Sequence, residues 1–102
     1  MEKNVKVAII GGGVVGCSIL YHLAKFGLKD CILIDRNELT SGSSWHAAGN
    51  VHVISSDPNI SRMMAYTIGL YKDIEKESGH STGFKPSGGF YLASNDVWAE
   101  YL

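Results

Sequence analysis

The chain has little of what would assign it to a class at once. Only two of its 102 residues are cysteine and two are proline. Cys17 and Cys31 lack metal-ligand spacing and do not make a disulfide framework, so a reduced compartment is expected, with both as small buried apolar residues. A charge excess is also missing. Nine basic and ten acidic residues give a formal net charge of −1, leaving no basic stripe for nucleic acid and no cationic amphipathic face for a membrane surface. No apolar run approaches the roughly 20 residues of a membrane span. Lys3 and Lys6 precede an apolar run ending Val14-Val15-Gly16-Cys17, which superficially resembles a lipoprotein signal. Three consecutive glycines would break the apolar helix such a signal needs. No targeting segment is read, and a cytoplasmic setting is expected. Repeats and low-complexity tracts are absent. What is present, 45% apolar and 19% charged residues, suits one small globular domain.

Val5 to Ile10 is short, apolar and β-branched, as a parallel strand covered on both faces would be. A glycine turn follows. Val14 to Phe26 then reads as a helix, with Val15, Ile19, His22 or Leu23, and Phe26 on one stripe, ended by Gly27. Cys31 to Ile34 is a second buried strand, and the crossover between the two should be right-handed. Residues 36–54 read as a long loop with one short helix near 43–48. Asp57-Pro58 is a helix start, and Ile60, Met63, Met64, Thr67, Ile68, Tyr71 and Ile74 recur at helical spacing as far as Gly79. Residues 88–93 read as a strand. Ser94 or Asn95 caps a further helix. The expected class is α/β. Residues 1–56 form a Rossmann-like βαβ unit with a long loop, and 57–102 form a helix and strand leading into a β-rich substrate domain. Two parallel strands make a poor sheet alone, so the sequence reads as the N-terminal piece of a longer protein. The isolated chain is expected to be marginally stable or not to fold.

Gly11-Gly-Gly-Val-Val-Gly16 lies between a predicted strand and a predicted helix. Gly11 allows the tight turn, Gly13 a close approach of backbone to pyrophosphate, and Gly16 close helix–strand packing. The amides near Val14 and Val15 stand at the positive end of the helix dipole. Asp35, 19 residues after Gly16, can accept hydrogen bonds from a ribose diol and argues against a 2′-phosphate. Leu20 occupies a place where such motifs often carry Gly or Ala. The motif does not choose between NAD and FAD; the loop does. Ser41-Gly-Ser-Ser-Trp-His-Ala-Ala-Gly49 offers hydroxyl and amide donors that a ribityl chain and pyrophosphate need.

These stretches resemble the dimethylglycine and sarcosine dehydrogenases, within the D-amino-acid-oxidase-like flavoproteins. The resemblance rests on Gly11–Ser18, Tyr21–Lys25 and above all Glu38–Gly49, with weaker matches through residues 70–94. It implies FAD joined to the protein through a ring nitrogen of His46. It also places the flavin against Gly42, Ser43, Ser44, Trp45, His46, Ala47, Ala48, Gly49 and Asn50, and the adenosine ribose against Asp35 and Arg36. The residues suit this: neutral imidazole is a good nucleophile, Ser43 and Ser44 can donate to phosphate or ribityl oxygens, and Ala47, Ala48 and Gly49 are small enough to lie under a flat ring. Trp45 is expected to pack the loop. His22, His52 and His80 are read as structural. Asn50, usually apolar in mammalian-type members, points to a bacterial-type branch.

The implied reaction is oxidation of an N-methylated glycine, dimethylglycine or sarcosine, by hydride transfer to FAD. Formaldehyde is then released, or the one-carbon unit is passed to tetrahydrofolate where a folate domain exists. The electron acceptor is left open, and no catalytic residue is assigned within the chain. The alternatives are another flavin amine or amino-acid oxidase of the same superfamily, and a non-catalytic regulatory relative.

Overall fold

The computed structural model describes residues 4–102. The elements run β1 (Val7–Ile10), α1 (Val14–Lys25), β2 (Cys31–Ile34), α2 (Pro58–Ser78) and α3 (Asp96–Tyr101). The chain divides into two compact units, one up to Asn50 and the other from Val51.

In the first unit β1 and β2 pair in parallel, Val7 with Cys31 through Ile10 with Ile34. Strand side chains alternate between faces. Val7, Ile9, Cys31 and Leu33 lie on the covered side, whereas Ala8, Ile10, Ile32 and Ile34 are exposed. The strands were expected to be covered on both faces; α1 is the one helix packed on them in this unit, so a single face is closed. Ile9, 8% exposed, is the buried apolar centre. Cys17 and Cys31, expected to be buried, are half-buried free thiols.

Helix α1 turns to the sheet a side that shares only Leu23 with the stripe its apolar spacing suggests. Val15, Ile19 and Phe26 are exposed, and Gly16 is buried with Leu20 and Leu23 half-buried on the same stripe. Gly16 decides this: with no Cβ it lets the helix settle against Ile9, so Leu20, the departure from the usual motif, lies on the covered side. The helix ends in a Schellman arrangement. Gly27 (φ 88°) donates to Ala24, and Leu28 donates to Leu23, satisfying carbonyls the helix would otherwise orphan.

In the second unit α2 begins where Asp57 Oδ1 accepts from the amides of Asn59 (2.7 Å) and Ile60 (3.4 Å) and ends at left-handed Gly79. Glu75 Oε1 then accepts from the Thr82 amide (2.8 Å) and hydroxyl (2.9 Å), and Tyr71 stacks on Phe84 at 5.6 Å. Asn95 caps α3 through the Trp98 amide. Residues 88–93, expected as a strand, carry no ladder. A strand is defined by its partner, and among the described residues none lies beside it; Phe90 and Leu92 are almost fully exposed.

Candidate cofactor site

The site is built where the chain leaves β1 and β2 on the same end of the sheet. Gly11 takes φ 106°, a region closed to other residues, and its amide donates to the Ile34 carbonyl at 2.8 Å. A Cβ at Gly16 would run into the Gly11 carbonyl oxygen. The first and last glycines of the motif therefore require each other. At Gly13 a Cβ would come 3.1 Å from Ser44 Oγ.

Asp35 closes the turn from the other strand. Oδ2 accepts from the Gly12 amide at 2.6 Å and Oδ1 from the Asn37 amide at 2.8 Å. The Asn37 amide, then the Gly12 amide, hold this carboxyl below its ordinary value, with a smaller contribution from Arg36 and a partial opposition from burial. Each oxygen keeps a second lone pair for a ligand hydroxyl.

The expected short helix near 43–48 is instead a run of tight turns over 39–46. Trp45 donates to Gly42, His46 to Ser43 and Ala47 to Ser44 at 3.1–3.4 Å. Gly42 and the serines compete poorly as helix formers. Thr40 enters the run with φ 64°, the only positive φ outside glycine among the described residues. For a β-branched residue this costs on the order of 1–3 kcal/mol and persists where the surroundings impose it.

Two hydrogen bonds staple this loop to the glycine turn. Thr40 donates to the Gly12 carbonyl at 2.8 Å, and Ser44 Oγ accepts from the Val14 amide at 2.8 Å. Gly13, the N-cap of α1, has no side chain to do this, so Ser44 supplies the cap and keeps its own proton to donate outward. His46 Nδ1 lies 3.0 Å from the Gly42 carbonyl. A carbonyl can only accept, so the proton belongs on Nδ1 and the lone pair on Nε2.

The structure thus brings Gly11, Gly13, Val14, Gly16, Asp35, Ser44 and, through the loop, Gly42, Ser43 and His46 into one neighbourhood. Val15 lies in the first turn of α1. Arg36 and Ala47 are exposed and join the set through their main-chain amides alone, toward Asp35 and Ser44, whereas Ala48, Gly49 and Asn50 are exposed and outside it. Trp45, expected to pack the loop, stands 78% exposed, because the main chain alone closes the turns. His22 and His80 bond to the carbonyls of Ser18 and Ser78. Gly12 and Thr40 were not singled out from the sequence. The middle glycine of the run was a signal for the first; left-handed threonine has none.

A family model described as FAD dependent oxidoreductase matches residues 6–102. The chain belongs to that family. It is 44% identical over 96 residues to human mitochondrial dimethylglycine dehydrogenase, covering 94% of this chain and 11% of that protein. To mouse mitochondrial sarcosine dehydrogenase it is 38% identical over 96 residues, 93% of the chain and 10% of the relative. To the formaldehyde-forming 4-methylaminobutanoate oxidase of Paenarthrobacter nicotinovorans it is 36% identical over 93 residues, 91% and 11%. The chain therefore spans about a tenth of the length of the curated relatives it matches.

The residues of this chain suit FAD on physical grounds. The first turn of α1 carries no acidic residue, so the amides it has beyond the Val14 N–H, which Ser44 Oγ takes, face an anion with no carboxylate beside them. Asp35 at the end of β2 presents acceptors for a diol. No helix among the described residues is long and apolar enough to cross a membrane.

Proposed function

We propose that the chain is the N-terminal FAD-binding portion of a dehydrogenase that oxidises N-methylated glycines, dimethylglycine or sarcosine. The observation that carries the reading is His46. Its Nδ1 is engaged by Gly42, and its loop is stapled to the dinucleotide turn by Thr40 and Ser44, which leaves Nε2 as the free nucleophile.

In this reading Gly11, Gly13, Val14, Val15 and Gly16 receive the pyrophosphate, and Asp35 with Arg36 the adenosine ribose. Ser43 and Ser44 donate along the ribityl chain, and Gly42 to Asn50 lie beside the flavin. FAD, when bound, supplies the acceptor for a hydride from the substrate's N-methyl carbon. His46 Nε2 is the tether to the 8α carbon. Such a tether would cost the 8-methyl group one hydrogen and the imidazole one proton, and dioxygen would serve as the two-electron oxidant. Residues 1–56 serve the cofactor and 57–102 lead toward the substrate region. Tetrahydrofolate, as a one-carbon acceptor, belongs to the rest of the protein. The two free thiols suit a reducing compartment, which in this reading is the cytoplasm.

The 36% identity to a 4-methylaminobutanoate oxidase favours, as a second reading, a related N-methyl amine as substrate. The test is formaldehyde release by the full-length protein with dimethylglycine, sarcosine and 4-methylaminobutanoate, using an artificial electron acceptor. Turnover of either glycine derivative at least about tenfold faster in kcat/KM, some 1.4 kcal/mol of transition-state preference, supports the first reading. The reverse preference supports the second, and no formaldehyde from any of the three removes both.

A further inference from the structure

We propose that Thr40 is a positioning residue for cofactor attachment. Through its main-chain N–H it sets where the His46 imidazole stands relative to the dinucleotide turn. The inference rests on the reading of His46 as the flavin tether.

The loop between Thr40 and His46 has two anchors on the turn. At its start the Thr40 amide donates to the Gly12 carbonyl at 2.8 Å. Near its end Ser44 Oγ accepts from the Val14 amide at 2.8 Å. A single exposed hydrogen bond is a hinge, and two fix an orientation. Thr40 also closes the loop on itself, because its carbonyl accepts from the Trp45 amide at 3.1 Å, next to His46. The left-handed φ of 64° is what lets one residue point its N–H at Gly12 and its carbonyl at Trp45. Gly12 is in turn held by Asp35 through its own amide, so the strut runs from the end of β2 through the glycine turn to the loop. The Thr40 hydroxyl makes no hydrogen bond among the described residues, so the main chain carries the role. A nucleophile misplaced by about 1 Å can lose about a hundredfold in rate, so this strut controls attachment without touching the flavin.

The experiment compares the full-length wild-type protein with Thr40→Val, Thr40→Gly and Thr40→Pro. Total FAD per chain is read by absorbance of the native protein. Covalent FAD is the flavin that stays with acid-precipitated chain. Valine removes the hydroxyl but keeps the N–H, and glycine keeps the N–H and relaxes the corner. Both should attach flavin within about twofold of wild type. Proline removes the N–H and forbids positive φ. It should still bind FAD but lose about tenfold or more of the covalent fraction. Full attachment in Thr40→Pro overturns the proposal. So does a tenfold loss in Thr40→Val or Thr40→Gly, which would assign the role to the side chain. A Thr40→Pro protein holding no FAD in either form also counts against it, since Thr40 would then serve nucleotide binding. Wild-type protein without covalent flavin removes the tether reading itself, whereas failure in the variants alone removes only the strut.

Discussion

The Val14 amide and the Ser44 hydroxyl meet at 2.8 Å across thirty residues of sequence. A helix whose own N-cap is glycine thereby takes its cap from the loop that carries His46. The cap and the loop's position are one interaction, and loss of either end should be felt at both.

Ser44→Ala therefore removes a cap and a staple together. A lost serine cap costs about 1 kcal/mol, so the holoprotein should melt at lower temperature and bind FAD more weakly. Ser44→Thr, which keeps the hydroxyl, should restore both. Calorimetry and FAD titration of the two variants check this, and an alanine variant indistinguishable from wild type would deny the bond any role.

Gly16→Ala should be more damaging than its one added carbon suggests. The Cβ meets the Gly11 carbonyl oxygen, which is main chain and fixed by the Gly11 bond to Ile34. Overpacking of this kind costs about 1–3 kcal/mol, and here it also distorts the turn. Purified Gly16→Ala protein should carry substantially less FAD. Gly69→Ala, where an added Cβ meets nothing, is the control that should leave FAD content unchanged.

Asp35 gives the site an acid limit. Its carboxyl is held below its ordinary value first by the Asn37 amide and then by the Gly12 amide. The stability it contributes is therefore complete above the ordinary carboxylate value of about 3.9 and is lost as pH falls through the lowered one. Asp35→Asn should abolish that portion of the acid transition. It should also weaken the turn at neutral pH, since an amide NH₂ cannot accept from the second of the two N–H groups. Unfolding curves of both proteins from pH 6 down to pH 2 would check this, and identical acid transitions would contradict it.

The sequence was most informative where a single residue type is compulsory. Glycine at 11 and 16, Asp57-Pro58 opening α2 and Gly79 closing it each have a local physical reason, and each stands where that reason puts it. Legibility failed where the outcome depends on neighbours. The apolar spacing of α1 marked Val15, Ile19 and Phe26 with His22 or Leu23, yet the absence of a Cβ at Gly16 turned the neighbouring stripe of Gly16, Leu20 and Leu23 to the sheet, which shares only Leu23 with it. Residues 88–93 have strand composition but no partner strand among the described residues. Within the site, the sequence marked Ser44 and His46 but not Gly12 or Thr40. Gly12 was legible only as the middle of the glycine run, where a Cβ would meet Leu39, and the role of Thr40 is a main-chain one, which leaves no trace in its side-chain type.

The isolated 102-residue chain should unfold without a cooperative transition. Ile9 is the one buried apolar residue among those described, and Ile10, Ile32 and Ile34 are exposed on an open sheet face. A small sheet with one covered face buries too little to offset chain entropy. A sharp, single calorimetric peak for this chain alone would contradict the prediction.

The most direct test of the account compares the full-length wild-type protein with His46→Ala on a denaturing gel, read by flavin fluorescence. The wild-type band should fluoresce at the position of the chain. The His46→Ala band should be dark, although the native variant still binds FAD through the glycine turn and Asp35. A fluorescent His46→Ala band, or a dark wild-type band from protein that is yellow when native, would contradict the tether.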